Sequence, residues 1–330
     1  MKVLVVGGAG YIGSHTVRLL QKEGHQPIIL DNLCAGHEEA ARRLKVPFEK
    51  GDLGDIPRVK GVLADHRPEV VMHFAAFALV GESVTQPKKY YHNNVVSTLN
   101  LLDAMNDAGI KKFIFSSTCA TYGNPQRPAL DETHPQKPIN PYGWSKWMVE
   151  QILRDYDRAY EMKHVALRYF NAAGGSPDGL IGEDHDPETH LIPVALQAVI
   201  GKRPGVTVFG TDYDTPDGTC VRDYIHVDDL AKAHILAIEH LNGGGESKML
   251  NCGTGKGHSV KEVLDTVERV TGRKLNVTYG PRREGDPPVL VAVADQIRTL
   301  FGWKPQYTEL EPIVRTAWTW FEKGGTYRPS

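Results

Sequence analysis

The sequence predicts an α/β protein built on a doubly wound parallel sheet, with a smaller α/β lobe toward the carboxyl end. Three observations carry that prediction. The apolar run KVLVV passes directly into Gly7, Gly8, Gly10 and Gly13. Strand and helix patterns then alternate through the first half of the chain, the rhythm of βαβ units with helices on both faces of a parallel sheet. After HVALRYFNAAGG the alternation stops, and SPDGLIGEDHDPETHLIP is rich in Gly, Pro, Asp and Glu, which marks a boundary.

Val3 to Val6 read as a buried strand and HTVRLLQKEGH as the amphipathic helix that follows it. A bare backbone between the two is what a dinucleotide requires. Gly7 and Gly10 let the chain turn and phosphates approach, and Gly13 lets helix and strand pack closely. PIILDN is the second strand and ends in Asp31, 18 residues beyond Gly13, near the spacing of an acid that binds a ribose diol. A carboxylate there favours NAD over NADP by repelling a 2′-phosphate.

A polar segment with a short helix leads to VPFEKGDL, and EVVMHFA, the long helix YYHNNVVSTLNLLDAMNDAG and KKFIFSST follow in turn. Right-handed crossovers line up the carboxyl ends of these strands along one rim, where a Rossmann-type fold binds its ligand. Gly7, Asp31, Asp52, Phe74, Ala75, Ala76 and Ser116 to Thr118 all fall on that rim. Beyond the boundary, VRDYIHVDDLAKAHILAIEHL resumes a strand and a helix, so the chain returns to the first domain before it finishes in the second. The expected division is 1–171 for the dinucleotide-binding domain, with a return at about 222–252, and 172–221 plus 253–330 for the substrate domain. Ser259 and Glu262 fit a capping box at the start of SVKEVLDTVERVTG.

Composition excludes several classes. The chain has 330 residues, 41% hydrophobic and 24% charged, and 38 basic against 40 acidic residues leave a formal charge of −2. Such a balance offers no basic field for nucleic acid or anionic lipid. The longest apolar stretch after the amino terminus, VVMHFAAFALV, is too short for a bilayer and contains His73. Cys34, Cys119, Cys220 and Cys252 are widely spaced, which suits buried thiols in the reducing cytoplasm.

NPYGWSKWMVEQIL places Tyr142 and Lys146 four apart on a helix, hence on one face. An ammonium beside a phenol stabilises the phenolate and makes it a competent general base. With 13 tyrosines in the chain, that spacing by itself arises by chance. Its position just after the strand end at Ser116, Ser117 and Thr118 gives it weight, because a hydroxyl then shares the rim. The stretch GEDHDPETH invites a metal reading through His185 and His190, but their spacing is not that of a helical zinc pair, and no metal is expected.

GGAGYIG, FSST and YGWSK together resemble the extended short-chain dehydrogenase/reductases. RYFNAAGG, GEDHDPETHLIP, DGTCVRDYIHVDDLA and LNCGTG resemble, within that superfamily, the UDP-glucose 4-epimerases, from residue 1 to about residue 305. The resemblance implies a tightly held NAD regenerated in each turnover, UDP-glucose and UDP-galactose as the interconverted sugars, and a homodimer formed through the long helices. It implies Tyr142 as base, Lys146 as its electrostatic partner and a ribose ligand, and Thr118 as the hydroxyl on the reacting sugar oxygen. Gly7, Gly10, Tyr11, Ile12, Gly13, Asp31, Asn32, Asp52, Leu53, Phe74, Ala75, Ala76, Asn94, Ser116 and Tyr169 would complete the cofactor site. Asn171, His190, Leu191, Phe209, Arg222, Arg283, Asp286 and Leu290 would bind the sugar nucleotide, the two arginines clamping its pyrophosphate. A lysine that some relatives carry in the FAA segment is Ala78 here, which removes one cofactor contact. Epimerisation of another UDP-sugar, such as UDP-N-acetylglucosamine, and 4,6-dehydration are the alternatives. Dehydration needs an Asp-Glu pair after the hydroxyl residue, where this chain has Cys119 and Ala120.

Overall fold

The computed structural model describes residues 1–127, 129–283 and 285–328. Its largest element is a seven-stranded parallel sheet, ordered Lys248–Cys252, Lys163–Tyr169, Lys112–Thr118, Val70–His73, Lys2–Val6, Gln26–Asp31, Phe48–Lys50. Alternate residues of the first strand serve opposite faces, as a pleated strand requires. Val3 and Val5 pack in one core with Val17, Leu20 and Ile29, and Leu4 and Val6 in the other with Leu101, Phe113 and Val149. Both faces are therefore dry, which is why the strands read as continuous apolar runs.

The chain walks from the first strand outward to the second and third, then crosses back to Val70–His73 on the other side of the first. Strand order reverses there, and the crevice beyond the carboxyl ends of these two strands is where this architecture binds ligands. The helix Val227–Asn242 packs against Tyr11–Lys22, and Lys248–Cys252 closes the far edge of the large sheet.

A smaller sheet centres on Val221–His226, paired in parallel with Asn171–Ala173 and Val289–Ala292 and antiparallel with Gly257–Ser259. Two readings of the sequence need adjustment. HVALRYFNAAGG divides into Lys163–Tyr169 in the large sheet and Asn171–Ala173 in the smaller one, so a single apolar run serves both. Likewise Val221–His226 belongs to the smaller sheet, and the return to the large one begins with the helix after it. The long helix of residues 90–109 is interrupted by a π-helical turn at His92–Val96, which turns the buried Asn94 inward to the Phe77 backbone and Ser145. The capping box is present, with Ser259 Oγ accepting from Glu262 N at 3.0 Å and Ser259 N donating to Glu262 Oε2 at 2.8 Å. No helix among the described residues is long and apolar enough to cross a membrane.

Candidate active site

A cleft of about 430 Å³ opens at the strand-order reversal and runs to the smaller sheet. Its glycines have distinct jobs. Gly7 turns with φ +79°, and a Cβ there would meet Ala75 N at 2.5 Å, so strand ends press together at this point. A Cβ on Gly13 would strike the Gly7 carbonyl oxygen, which fixes how closely the helix Tyr11–Lys22 approaches the strand. Gly10 differs, since its Cβ would meet nothing nearer than Gly7 O at 3.4 Å and would project toward the cleft. Gly10, Tyr11, Ile12 and Gly13 thus bring the bare amino end of a helix to the cleft wall, a cradle suited to a pyrophosphate.

Asp31 ends the second strand, is 8% exposed and also lines the cleft. Its carboxylate is held by the N–H groups of Ala9 at 3.0 Å and Leu33 at 2.8 Å, while burial pushes its pKa upward. Asn32 donates to Asp52 Oδ2 at 2.6 Å, extending the polar rim. Glycine cradle and carboxylate together fit an adenine dinucleotide.

Farther along, the strand Lys112–Thr118 ends in a tight turn, with Thr118 Oγ1 accepting from Ala120 N at 3.1 Å. The helix Pro141–Tyr160 starts beside it for local reasons. Asn140 Oδ1 caps the N–H of Gly143 at 2.8 Å, and Pro141 occupies the first turn, where its missing donor costs nothing. A Cβ on Gly143 would meet Ala120 O at 2.6 Å, so the helix start lies directly on the Thr118 turn. Tyr142 and Thr118 are within side-chain hydrogen-bonding reach, and Lys146, one turn on, is buried at 3% exposure. Ser117, Gln136 and Arg168 all bond Glu150, the next residue on that helix face, in a buried network that anchors helix to sheet.

The protonation states depart from the simple pairing read in the sequence. Burial pushes Tyr142 up to about 12 and Lys146 down to about 7. Lys146 Nζ donates to Ser116 O at 2.7 Å. Shared helix spacing places both groups on one face, but burial is the largest influence on each of them.

On the far side, Asn171, His190, Arg222 and Leu290 line the cleft, as do Ala78, Tyr169 and Cys119. Leu290 packs on Cys119, Tyr122 and Leu130. Asp286 stands between the arginines, 3.5 Å from Arg222 Nη2 and 2.9 Å from Arg283 Nε, and Arg283 lies over the Phe209 ring at 5.1 Å. Arg283, Asp286 and Phe209 form a cluster outside the cleft wall, joined to it through Arg222. Asn94 and Leu53 are buried away from the cleft, Asn94 bracing the Phe77 backbone, and Leu191 begins the helix Leu191–Val199.

The fold also brings to the wall residues that the sequence reading did not single out. Phe170, Asn93, Ala35 and Gly36 are among them, and only Gly36 carried a signal, as a glycine just past Asp31. Glu183 lines the wall as well, beside the His185 already named in the metal reading, and with Glu188 and His190 they bring candidate ligand atoms within 4.8 Å of one another. Burial lowers the His185 pKa, yet the Glu183 and Glu188 carboxylates outweigh it and lift that pKa to about 9.

A family model described as "NAD dependent epimerase/dehydratase family" matches residues 3–253. A UDP-glucose 4-epimerase of Rhizobium meliloti is 55% identical, over 97% of this chain and 97% of that one. The crystal structure of a UDP-glucose 4-epimerase from Brucella ovis in complex with NAD is 50% identical, with TM-score 0.94, covering 96% of this chain and 97% of that one. A UDP-Glc/GlcNAc 4-epimerase from Campylobacter jejuni is 46% identical, with TM-score 0.85, covering 98% and 99%.

Proposed function

Because the chain belongs to the NAD dependent epimerase/dehydratase family, we infer that its cleft interconverts UDP-glucose and UDP-galactose by inverting C4 through a transient 4-keto sugar. One observation carries the reading: Thr118, Tyr142 and Lys146 meet at the cleft between the glycine cradle and Arg222. NAD, when bound, supplies a two-electron acceptor for the C4 hydride, returned later in the same turnover, together with a positive ring charge. The glycine turn and Asp31 would hold its phosphates and ribose, joined by Asn32, Asp52, Phe74, Ala75, Ala76, Ser116 and Tyr169.

Tyr142 takes the proton of the sugar 4-hydroxyl and gives it back, while Thr118 steadies the same oxygen by a hydrogen bond. With burial holding the phenol at about 12, ionising it near neutrality calls for roughly 7 kcal/mol of stabilisation at about 1.4 kcal/mol per unit. Lys146 supplies part of that and the coenzyme's charge the rest. Arg222 and Arg283 clamp the diphosphate and Asp286 holds the uridine ribose while the keto sugar turns its other face, so affinity is concentrated away from the reacting ring. His190, Asn171 and Leu290 shape the sugar end, with Leu191 and Phe209 flanking the nucleotide.

The competing dehydration lacks its acid and base here. Burial pushes the Cys119 thiol up to about 12, and Ala120 carries no proton to exchange. We take residues 172–221 and 253–330 as the sugar-nucleotide lobe. A cytoplasmic homodimer belongs to the same proposal, supported by four unpaired thiols among the described residues and by Val96, Trp144 and Met148 exposed on the two long helical segments.

The test is direct. Protein carrying its own NAD is given UDP-galactose with none added, and UDP-glucose is expected. A folded, NAD-loaded sample that forms none would overturn the assignment.

A further inference from the structure

We propose that Glu183, His185, Glu188 and His190 form a site for one divalent transition-metal ion of the zinc type, set in the wall of the cleft. Around a tetrahedral ion with bonds of 2.0–2.2 Å, neighbouring ligand atoms stand roughly 3.3 Å apart. His185 Nδ1 lies 3.2 Å from Glu183 Oε1 and 3.6 Å from Glu188 Oε2, His190 Nδ1 lies 2.6 Å from Glu183 Oε1, and the four candidate ligand atoms all lie within 4.8 Å of one another. These spacings bracket the tetrahedral one. A loop achieves here what helical spacing achieves elsewhere, which is why the residue intervals argued against it.

A second observation points the same way. Glu183 Oε1 and Glu188 Oε2 are buried and accept no hydrogen bond among the described residues, although an imidazole nitrogen stands 2.6 Å from the first. Without an ion these groups pair as imidazole and carboxylate, and the same close, poorly aligned spacing is what ligands of one ion show. The second Glu188 oxygen is fixed by the N–H groups of Thr189 at 2.7 Å and His190 at 2.9 Å, the outer support typical of a ligating carboxylate. The charges also balance, since two buried carboxylates with two neutral imidazoles match a divalent cation. Mixed nitrogen and oxygen donors select zinc-like ions over magnesium or calcium, which prefer oxygen alone.

Because Glu183, His185 and His190 line the cleft, the ion occupies groups on the sugar side and competes with UDP-galactose. That consequence rests on the function assigned above, whereas the binding itself does not. Zinc chloride is titrated into the NAD-loaded enzyme against a chromophoric chelator, and cobalt is used in parallel for its visible spectrum. One ion per chain and a tetrahedral cobalt spectrum are expected. His185→Asn and His190→Asn should each weaken binding at least about tenfold, with circular dichroism unchanged. His66→Asn, whose imidazole pairs with Glu49 elsewhere, should bind as the parent does. Absence of saturable binding, or binding unaltered in the His185→Asn/His190→Asn double variant, overturns the site. Zinc that leaves the KM for UDP-galactose unchanged would overturn the competition and leave the binding standing, while an NAD-loaded enzyme that forms no UDP-glucose with or without zinc would refute the epimerase reading alone.

Discussion

Tyr142→Phe isolates the phenolic oxygen. The ring stays, so the helix Pro141–Tyr160 keeps its Asn140 cap and its contact with the Thr118 turn. Thr118 Oγ1 keeps its bond from Ala120 N, and the structural loss is at most one side-chain hydrogen bond, about 1 kcal/mol. The chemical loss is larger, because no other group between Thr118 and Lys146 can accept the sugar proton. The Thr118 hydroxyl is far too weak an acid and base, and Lys146, pulled to about 7, is committed to Ser116 O. A general base is worth about 10²- to 10⁴-fold in rate. At about 1.4 kcal/mol per decade, the barrier should rise by about 3 to 5.5 kcal/mol, several times the structural loss. The assay follows UDP-galactose conversion by chromatography, beside NAD content after gel filtration. Retained NAD with kcat down at least a hundredfold is expected. A variant keeping a tenth or more of parental turnover, with NAD bound, shows that another group takes the proton.

The glycines separate two roles. Gly13→Ala sets a Cβ against the Gly7 carbonyl and should destabilise the protein by about 2 kcal/mol or more in denaturant titration. Gly10→Ala, at an ordinary φ of −81°, should leave NAD-free stability within about 1 kcal/mol yet weaken NAD at least about tenfold by fluorescence titration. Lys146→Met tests burial of charge. The folded-state pKa lies near 7, below the ordinary lysine value, so the ammonium costs stability below pH 7 and the cost fades as pH rises through it. In NAD-free protein, the stability advantage of the methionine variant should shrink by about 2 kcal/mol between pH 7 and 9, and an advantage independent of pH refutes the cause. Leu290→Ser should raise kcat/KM for UDP-N-acetylglucosamine at least about tenfold over the parent, since the side chain lines the cleft. An unchanged kcat/KM would show that Leu290 does not exclude the N-acetyl group.

The sequence showed the cofactor end of the cleft more clearly than the sugar end, for a physical reason. Gly7, Gly10, Gly13 and Asp31 act through backbone geometry within one βαβ unit, and so do Thr118 and the Asn140-Pro141 helix start, so short spacings encode them. Arg222, Asn171 and Leu290 reach the same cleft from three separate segments, brought in by Val221–His226 pairing with Val289–Ala292 and Asn171–Ala173. No local period records such pairing, and their placement came only with the resemblance. Ionisation was misread for a related reason. A spacing of four reports a shared helix face and says nothing about the dielectric around it, which pulls Lys146 down to about 7 while its ammonium donates to Ser116 O. The quartet in the Glu183 to His190 loop follows the same logic, since residue intervals exclude a helix while loop coordinates determine whether four ligand atoms converge. A variant of this enzyme that displaces Val221–His226 and Val289–Ala292, with the strands Lys2–Val6 and Gln26–Asp31 intact, should therefore lose sugar-nucleotide affinity while keeping NAD.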